Sequence, residues 1–222
     1  MARQIFIGLM TEGTTDQRFL KSIVERTFNE IKIECHNDIE IFDVELIEVS
    51  ENKFVEQVLE ASKKGFDEFG MTILCVHTDA EKQGIEYINQ YKIKPAQEVL
   101  DRQKDTEYCK ILVAITPLQE IESWMLSDKE LLKKEIGTTK SDNDLGINKK
   151  AEETTNPKEI IENAIKIARE NLTKKRRSNL TIAELYLPIG QKIELEKLDT
   201  LVSYQNFKEN IREAFRKLKL LH

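Results

Sequence analysis

The chain has 222 residues, of which 40% are hydrophobic and 33% are charged, and its formal net charge is −6. This length is enough for one sizeable domain or for a core domain with a small appendage. The acidic balance excludes a general attraction to nucleic acid or anionic membranes, so a phosphate-binding surface has to be local or supplied with metal ions.

The apolar runs of the sequence are short. None of them approaches the roughly 20 residues that a membrane-spanning helix needs, and the first is too short for a signal sequence. The three cysteines, Cys35, Cys75 and Cys109, stand far apart without metal-ligand spacing. We therefore expect a reduced, cytoplasmic protein that has no structural zinc site and no membrane partner.

Four strand-like runs alternate with segments of helical spacing along the first two thirds of the chain. The predicted strands are 4–10, 41–49, 71–77 and 109–116. The predicted helices are 14–31, 52–69, 92–104 and a segment beyond Pro117, with Thr14 or Thr15 as the N-cap of the first. This order predicts an α/β fold with a four-stranded, mainly parallel, Rossmann-like sheet flanked by helices.

The last third of the chain has a different character. Residues 137–157 are polar and rich in turn residues, which is typical of a long loop or linker. Residues 157–172 and 204–220 then show the spacing of amphipathic helices. We expect an α/β domain at 1–136, a polar loop or linker at 137–157, and a C-terminal helical extension at 158–222 that packs on the core.

Acidic residues follow three of the four predicted strands. Glu12 comes after the first, Asp79 and Glu81 after the third, and Glu120 and Glu122 after the fourth. Carboxyl ends of parallel strands meet at one edge of a sheet, where converging carboxylates need a cation between them. Mg²⁺ or Mn²⁺ is the natural partner of such oxygen ligands. The alternative is that each acid is a turn residue or a helix cap.

Two nucleotide-related interpretations of the first strand are weaker. Gly8 and Gly13 have the spacing of a phosphate loop, but Thr14 stands where the phosphate-binding lysine belongs. A phosphoacceptor receiver domain needs an acid pair after the first strand and a lysine late in the sheet. Here Glu12 stands alone, and the fourth strand ends without a lysine.

Glu12-Gly13 after the first strand and the segment HTDAE after the third resemble the Toprim fold. This magnesium-binding α/β module occurs in topoisomerases, primases and the overcoming-lysogenization-defect nucleases. Its third-strand motif is Asp-x-Asp, whereas Asp79-Ala80-Glu81 is Asp-x-Glu. The segment TPLQEIESWMLSD, residues 116–128, is similar to one in a bacterial Toprim-like family of unknown function, whose members often lie beside defence ATPases.

The resemblance implies a magnesium-dependent, nuclease-type enzyme that acts on nucleic acid in anti-phage defence. Glu12 and Asp79 would be catalytic, and Glu81 and Glu122 would complete the metal ligands. A basic run would contact the nucleic acid backbone; its residues are Lys174, Lys175, Arg176 and Arg177. The alternative is a non-catalytic partner or sensor module of a defence ATPase, with a degenerate metal site.

Two further residues stand beside these acids in the sequence. Asp16 either extends the site or complements the dipole of the first helix. His77 either carries protons at the site or is buried beside a partner. Trp124 is expected to pack the helix after the fourth strand against the core.

Overall fold

The protein is described by a computed structural model that covers residues 2–173 and 179–222. The predicted fold class is confirmed: a four-stranded parallel sheet is flanked by helices and followed by C-terminal helices. The strands are β1 Arg3–Ile5, β2 Ile7–Met10, β3 Ile39–Ile41, β4 Glu45–Leu46, β5 Ile73–His77 and β6 Leu112–Ile115.

Eleven α-helices belong to the described part of the chain. They are α1 Thr14–Ile31, α2 Phe54–Phe69, α3 Ile85–Ile88, α4 Lys94–Asp101, α5 Glu122–Met125, α6 Lys129–Ile136, α7 Asp142–Leu145, α8 Pro157–Ala168, α9 Tyr186–Lys192, α10 Leu195–Leu198 and α11 Val202–Lys217. A π-helical turn, Asn89–Ile93, joins α3 to α4. Within the described residues, no helix is long and apolar enough to cross a membrane.

The central sheet has the order β4-β2-β5-β6, and all of its strands are parallel. The first two predicted strands each divide into two, because β1 and β3 pair separately as a small parallel sheet. At the division, the Phe6 amide donates to Oγ1 of Thr72, and the Phe6 ring stacks on Phe42 at 4.5 Å between centroids. These side-chain contacts replace the continuous ladder that the apolar pattern predicts.

Both faces of β2, β5 and β6 are buried, as expected for a parallel sheet, whereas the edge strand β4 is exposed. Alternate residues of β5 face opposite sides, so Ile73 and Cys75 belong to a large core formed with α1 and the C-terminal helices. Leu74 and Val76 belong to a smaller core formed with α2 and α4. The helices α1 and α2 therefore cover opposite faces of the sheet.

The segment 137–157 is structured and contributes to the large core. It contains α7 and a 3₁₀ turn at Ala151–Glu153, and the side chains of Leu145 and Ile147 are buried. The capping box at Ser141 and Asp144 starts α7. Most residues of this segment are thus polar, but a few apolar ones pack into the core.

The C-terminal helices pack directly on the α/β layer. Helix α11 covers β6, where the Asn210 side chain donates to the carbonyl of Ala114 at 3.0 Å. Trp124 is fully buried, as predicted, and its indole N–H donates to Oγ of Ser203. Arg26 of α1 donates to the carbonyls of Gly190 and Ile193, which fixes α9 against α1.

Candidate active site at the strand ends

The order of the strands creates a crevice between β2 and β5. The chain leaves β2 through α1 on one face, and it enters β5 through α2 on the other face. Neighbouring parallel strands with connections on opposite faces leave a cleft at their carboxyl ends, where ligands of such sheets bind. Met10 pairs with Val76 at the end of this ladder, so Glu12 and Asp79 follow at adjacent positions.

The turn after β2 places Glu12 at the mouth of this cleft, with its side chain partly exposed. The N-cap of α1 is Gly13, and the predicted cap, Thr14 or Thr15, was wrong. Gly13 has an extended backbone, and its amide donates to Oδ2 of Asp16 at 3.0 Å. The side chain of Glu12 is 51% exposed, which leaves one face of its carboxylate open to a ligand.

A chain of contacts connects Glu12 to a lysine through Thr78. The buried Thr78 hydroxyl donates to Oε1 of Glu12 at 2.7 Å. Nζ of Lys92 donates in turn to Oγ1 of Thr78 at 2.7 Å. The same Nζ is 3.9 Å from Oε1 of Glu12, beyond hydrogen-bond distance but within ion-pair distance. Because it accepts from Lys92, the threonine presents its own proton to Glu12.

His77 is fully buried between two carboxylates. Its Nε2 is 3.2 Å from Oδ1 of Asp79, and its Nδ1 is 3.7 Å from Oδ2 of Asp16. The Asp16 contact is beyond hydrogen-bond distance, and the Asp79 contact lacks the alignment of a hydrogen bond. Burial alone lowers the pKa of His77, but the Asp79 and Asp16 carboxylates outweigh burial and raise it above its usual value. The imidazole therefore lies between Asp16 and Asp79, whose carboxylates favour its protonated form.

Asp16 links the helix cap to the charge of the site. Burial raises the pKa of Asp16, and the charges of Asp79 and Glu12 add to this effect. The charge of His77 and the hydrogen bond from Gly13 oppose it. Asp16 therefore accepts a hydrogen bond from the amide at the start of α1 and also lies beside His77, among the acids of the cleft.

Glu81 lies on the loop after β5. Its backbone has a positive φ of 46°, and its amide donates to the carbonyl of Gln119 in an isolated bridge between the two loops. Gln119 also has a positive φ, 65°. The Glu81 side chain is exposed, and among the described residues its carboxylate has no hydrogen bond or ion pair. A non-glycine residue in this conformation indicates local strain, which is typical of functional loops.

Glu122 is held by a residue from the C-terminal region. The Tyr186 hydroxyl donates a hydrogen bond to Oε1 of Glu122, and both side chains are buried. Burial raises the pKa of Glu122, while the hydrogen bond from Tyr186 counteracts this effect. Burial also raises the pKa of Tyr186, to which Glu122, Asp16 and Glu120 contribute. The Tyr186–Glu122 pair is thus electrostatically coupled to the acids at the cleft.

The structure brings some of the predicted site residues together and leaves others apart. The structure places Glu12 and Asp79 at adjacent strand ends, with Glu81 on a neighbouring loop and Glu122 bound to Tyr186. The nucleic-acid-binding prediction for 174–177 lies outside the described residues. Sequence reasoning missed Lys92 and Tyr186, because neither belongs to a motif and each reaches the site through a tertiary contact.

The described acids supply the oxygen donors that a hard divalent cation prefers, but their side chains are not grouped as metal ligands are. Across residues 2–173 and 179–222, no three His, Cys, Asp or Glu side chains form a group that would hold a metal ion. Carboxylate oxygens are nevertheless the ligands that Mg²⁺ prefers. One of them, Oδ1 of Asp79, is buried without a hydrogen bond among the described residues.

Comparison of this chain with protein-family models, with curated proteins and with solved structures found no match.

Proposed function

We propose that the protein is a Mg²⁺- or Mn²⁺-dependent enzyme that cleaves phosphodiester bonds in nucleic acid. The observation that carries this proposal is the position of Glu12 and Asp79 at the adjacent carboxyl ends of β2 and β5. Two carboxylates at this cleft provide the oxygen ligands for a divalent ion. The setting in bacterial anti-phage defence, with a partner ATPase, comes from the Toprim resemblance and belongs to the same proposal.

Glu12 and Asp79 would hold the metal ion, with Glu81 and Glu122 as the further ligands that the resemblance implies. The ion, when bound, neutralises the phosphodiester and stabilises charge on the leaving oxygen. Asp79 is oriented by its contact with His77, and Glu12 by the hydroxyl of Thr78. The exposed face of Glu12 is accessible to a water molecule, so its carboxylate can accept or return a proton.

The test combines metal binding with cleavage. Calorimetry with Mn²⁺ on the wild type, Asp79→Ala and Glu12→Gln should show binding that Asp79→Ala abolishes and Glu12→Gln weakens. Labelled single-stranded and duplex DNA and RNA, incubated with Mg²⁺ or Mn²⁺, should be cleaved by the wild type but not by Asp79→Ala. Glu68→Gln is the control, because Glu68 is an exposed acid on α2 without a described hydrogen bond or ion pair.

The second candidate function is a non-catalytic partner or sensor module, and one observation favours it. Nζ of Lys92 lies 3.9 Å from Oε1 of Glu12, so a cation of the protein itself already stands beside this carboxylate. A wild-type protein that binds neither Mn²⁺ nor Mg²⁺ would contradict the enzyme and support the module.

A further inference from the structure

A wide helical turn brings a lysine to the cleft. Residues Asn89–Ile93 form a π-helix between α3 and α4, and Lys92 lies within it. Single π-helical turns are rare and often mark functional sites. This turn directs the Lys92 side chain toward Thr78, at the end of β5 and beside the candidate active site.

Two contacts hold the Lys92 ammonium group in a defined place. Nζ donates to Oγ1 of Thr78 at 2.7 Å and lies 5.6 Å from the centroid of the Phe54 ring. Because Thr78 is fully buried, its hydroxyl is a fixed partner for the ammonium group. The cation–π contact with Phe54 adds to the restraint. A long, rotatable side chain is therefore fixed at the mouth of the cleft.

The ammonium group retains binding capacity. It has three N–H donors, and within the described residues only Thr78 accepts a hydrogen bond from it. Glu12 lies beyond hydrogen-bond distance, at 3.9 Å. The Lys92 side chain is 37% exposed, so the remaining donors are accessible to a ligand.

The cleft is acidic, and the N–H donors of Lys92 supply the positive charge that a phosphate group needs there. Glu12, Asp16 and Asp79 are acids, and they repel a phosphate group that approaches a metal ion. Lysine is a common phosphate ligand because its compact ammonium group acts as a strong point charge. Lys92 supplies such a charge on the same side of the cleft as Glu12.

We propose that Lys92 binds an anionic phosphate oxygen of the substrate, and that Thr78 acts as its positioning residue. This inference rests on the proposed function for the class of ligand, a phosphodiester. The Lys92–Thr78–Glu12 chain then serves two purposes: Thr78 aims the ammonium group at the phosphate and orients the Glu12 carboxylate.

The test measures binding of a fluorescein-labelled, single-stranded 20-nucleotide DNA and RNA by anisotropy in Ca²⁺, together with Mn²⁺ calorimetry. Lys92→Met should weaken oligonucleotide binding about tenfold without weakening Mn²⁺ binding, and Lys92→Arg should restore most of the affinity. Thr78→Val should cause a smaller loss than Lys92→Met, and Thr78→Ser should retain the wild-type value. Lys94→Met is the matched control, because Lys94 is the exposed first residue of α4 and has no described ion pair.

The outcomes separate the two proposals. If Lys92→Met binds the oligonucleotide as the wild type does while the wild type cleaves it, the inference is overturned and the proposed function stands. If binding depends on Lys92 but the wild type binds no Mn²⁺ and cleaves nothing, the proposed function is overturned and the inference stands. A wild type that binds no oligonucleotide overturns both. The emission of the buried Trp124 shows whether each variant is folded.

Discussion

Tyr186 donates a hydrogen bond to Glu122 across 64 positions of the sequence. Glu122 opens the short helix α5 after β6, and Tyr186 opens α9 in the C-terminal region. An acid that the Toprim resemblance assigns to the metal site is therefore set in place by a residue from outside the α/β layer. The C-terminal helices thus take part in the candidate site as well as in the core.

Replacing Tyr186 with Phe should destabilise the protein, because the buried Glu122 carboxylate loses its donor. We expect a loss of about 1–3 kcal/mol in the free energy of unfolding. The donor favours the ionised carboxylate, so the variant has an even higher Glu122 pKa than the wild type. The unfolded state has the same Glu122 pKa in both proteins, so the loss should grow as the pH rises through the raised pKa of Glu122 in the folded state. Urea unfolding at pH 5 and pH 8 checks this; an equal loss at both values would contradict it.

Gly190 lies against the backbone of α1, and a methyl group there has no space. A Cβ atom at position 190 would be 2.3 Å from the carbonyl oxygen of Phe19 and 2.8 Å from its Cα. Gly190→Ala should destabilise the protein by roughly 1–3 kcal/mol, because α9 must move away from α1. Thermal unfolding measures the change. Gln191→Ala, at the next and exposed position, should have little effect; an unchanged melting temperature in Gly190→Ala would refute the close contact.

Trp124 and Ser203 connect α5 to α11 inside the core. Trp124→Phe removes the indole donor to Oγ of Ser203 and part of the buried ring, and should cost about 1–3 kcal/mol. Ser203→Ala leaves the indole N–H buried without a partner and also removes a donor to Glu152. We expect a loss in Ser203→Ala that equals or exceeds the loss in Trp124→Phe. Denaturant unfolding followed by circular dichroism suits both variants, because Trp124 is the single tryptophan.

A bidentate ion pair should make part of the stability depend on pH. Nε and Nη2 of Arg212 donate to the two Glu34 oxygens at 2.8 and 2.7 Å, and these bonds lower the Glu34 pKa. A lowered carboxyl pKa stabilises the folded state above the unfolded value of about 4.5, and this contribution is lost as the pH falls below it.

Glu34→Gln should therefore lower the free energy of unfolding by up to about 1 kcal/mol at pH 7, since the pair is partly exposed. The difference from the wild type should shrink toward zero as the pH falls below 4.5 and through the lowered pKa of Glu34 in the folded state. Urea unfolding at several pH values, with 1 M NaCl as a screening control, measures both effects. A difference that does not depend on pH would rule out this ion pair as its cause.

The sequence predicts those elements whose apolar residues have one clear period. Helix α1 begins and ends at the predicted residues, 14 and 31, because its buried side chains recur at helical spacing over five turns. The division of the first strand at Phe6 was not predicted, since it depends on Thr72 and Phe42, which are distant in sequence. Likewise, the π-helix at 89–93 lies mostly before the predicted helix 92–104.

The same distinction applies to the candidate site. Glu12 and Asp79 are adjacent because parallel strands end at one edge, a rule that needs no side-chain geometry. The bonds from Lys92 to Thr78 and from Tyr186 to Glu122 depend on how helices dock, and no local pattern records this. Residues that follow strands could thus be predicted, whereas residues that reach the site from helices could not.

The packing of α11 on β6 has a consequence for biosynthesis. All six strands of the described residues emerge from the ribosome before the helix that covers β6, and Ala114 lacks its Asn210 partner until then. Tyr186, which fixes Glu122, also emerges some 70 residues after β6 has been made. The nascent chain therefore carries a sheet with one uncovered border and an incomplete acidic cleft until α9 and α11 have been made.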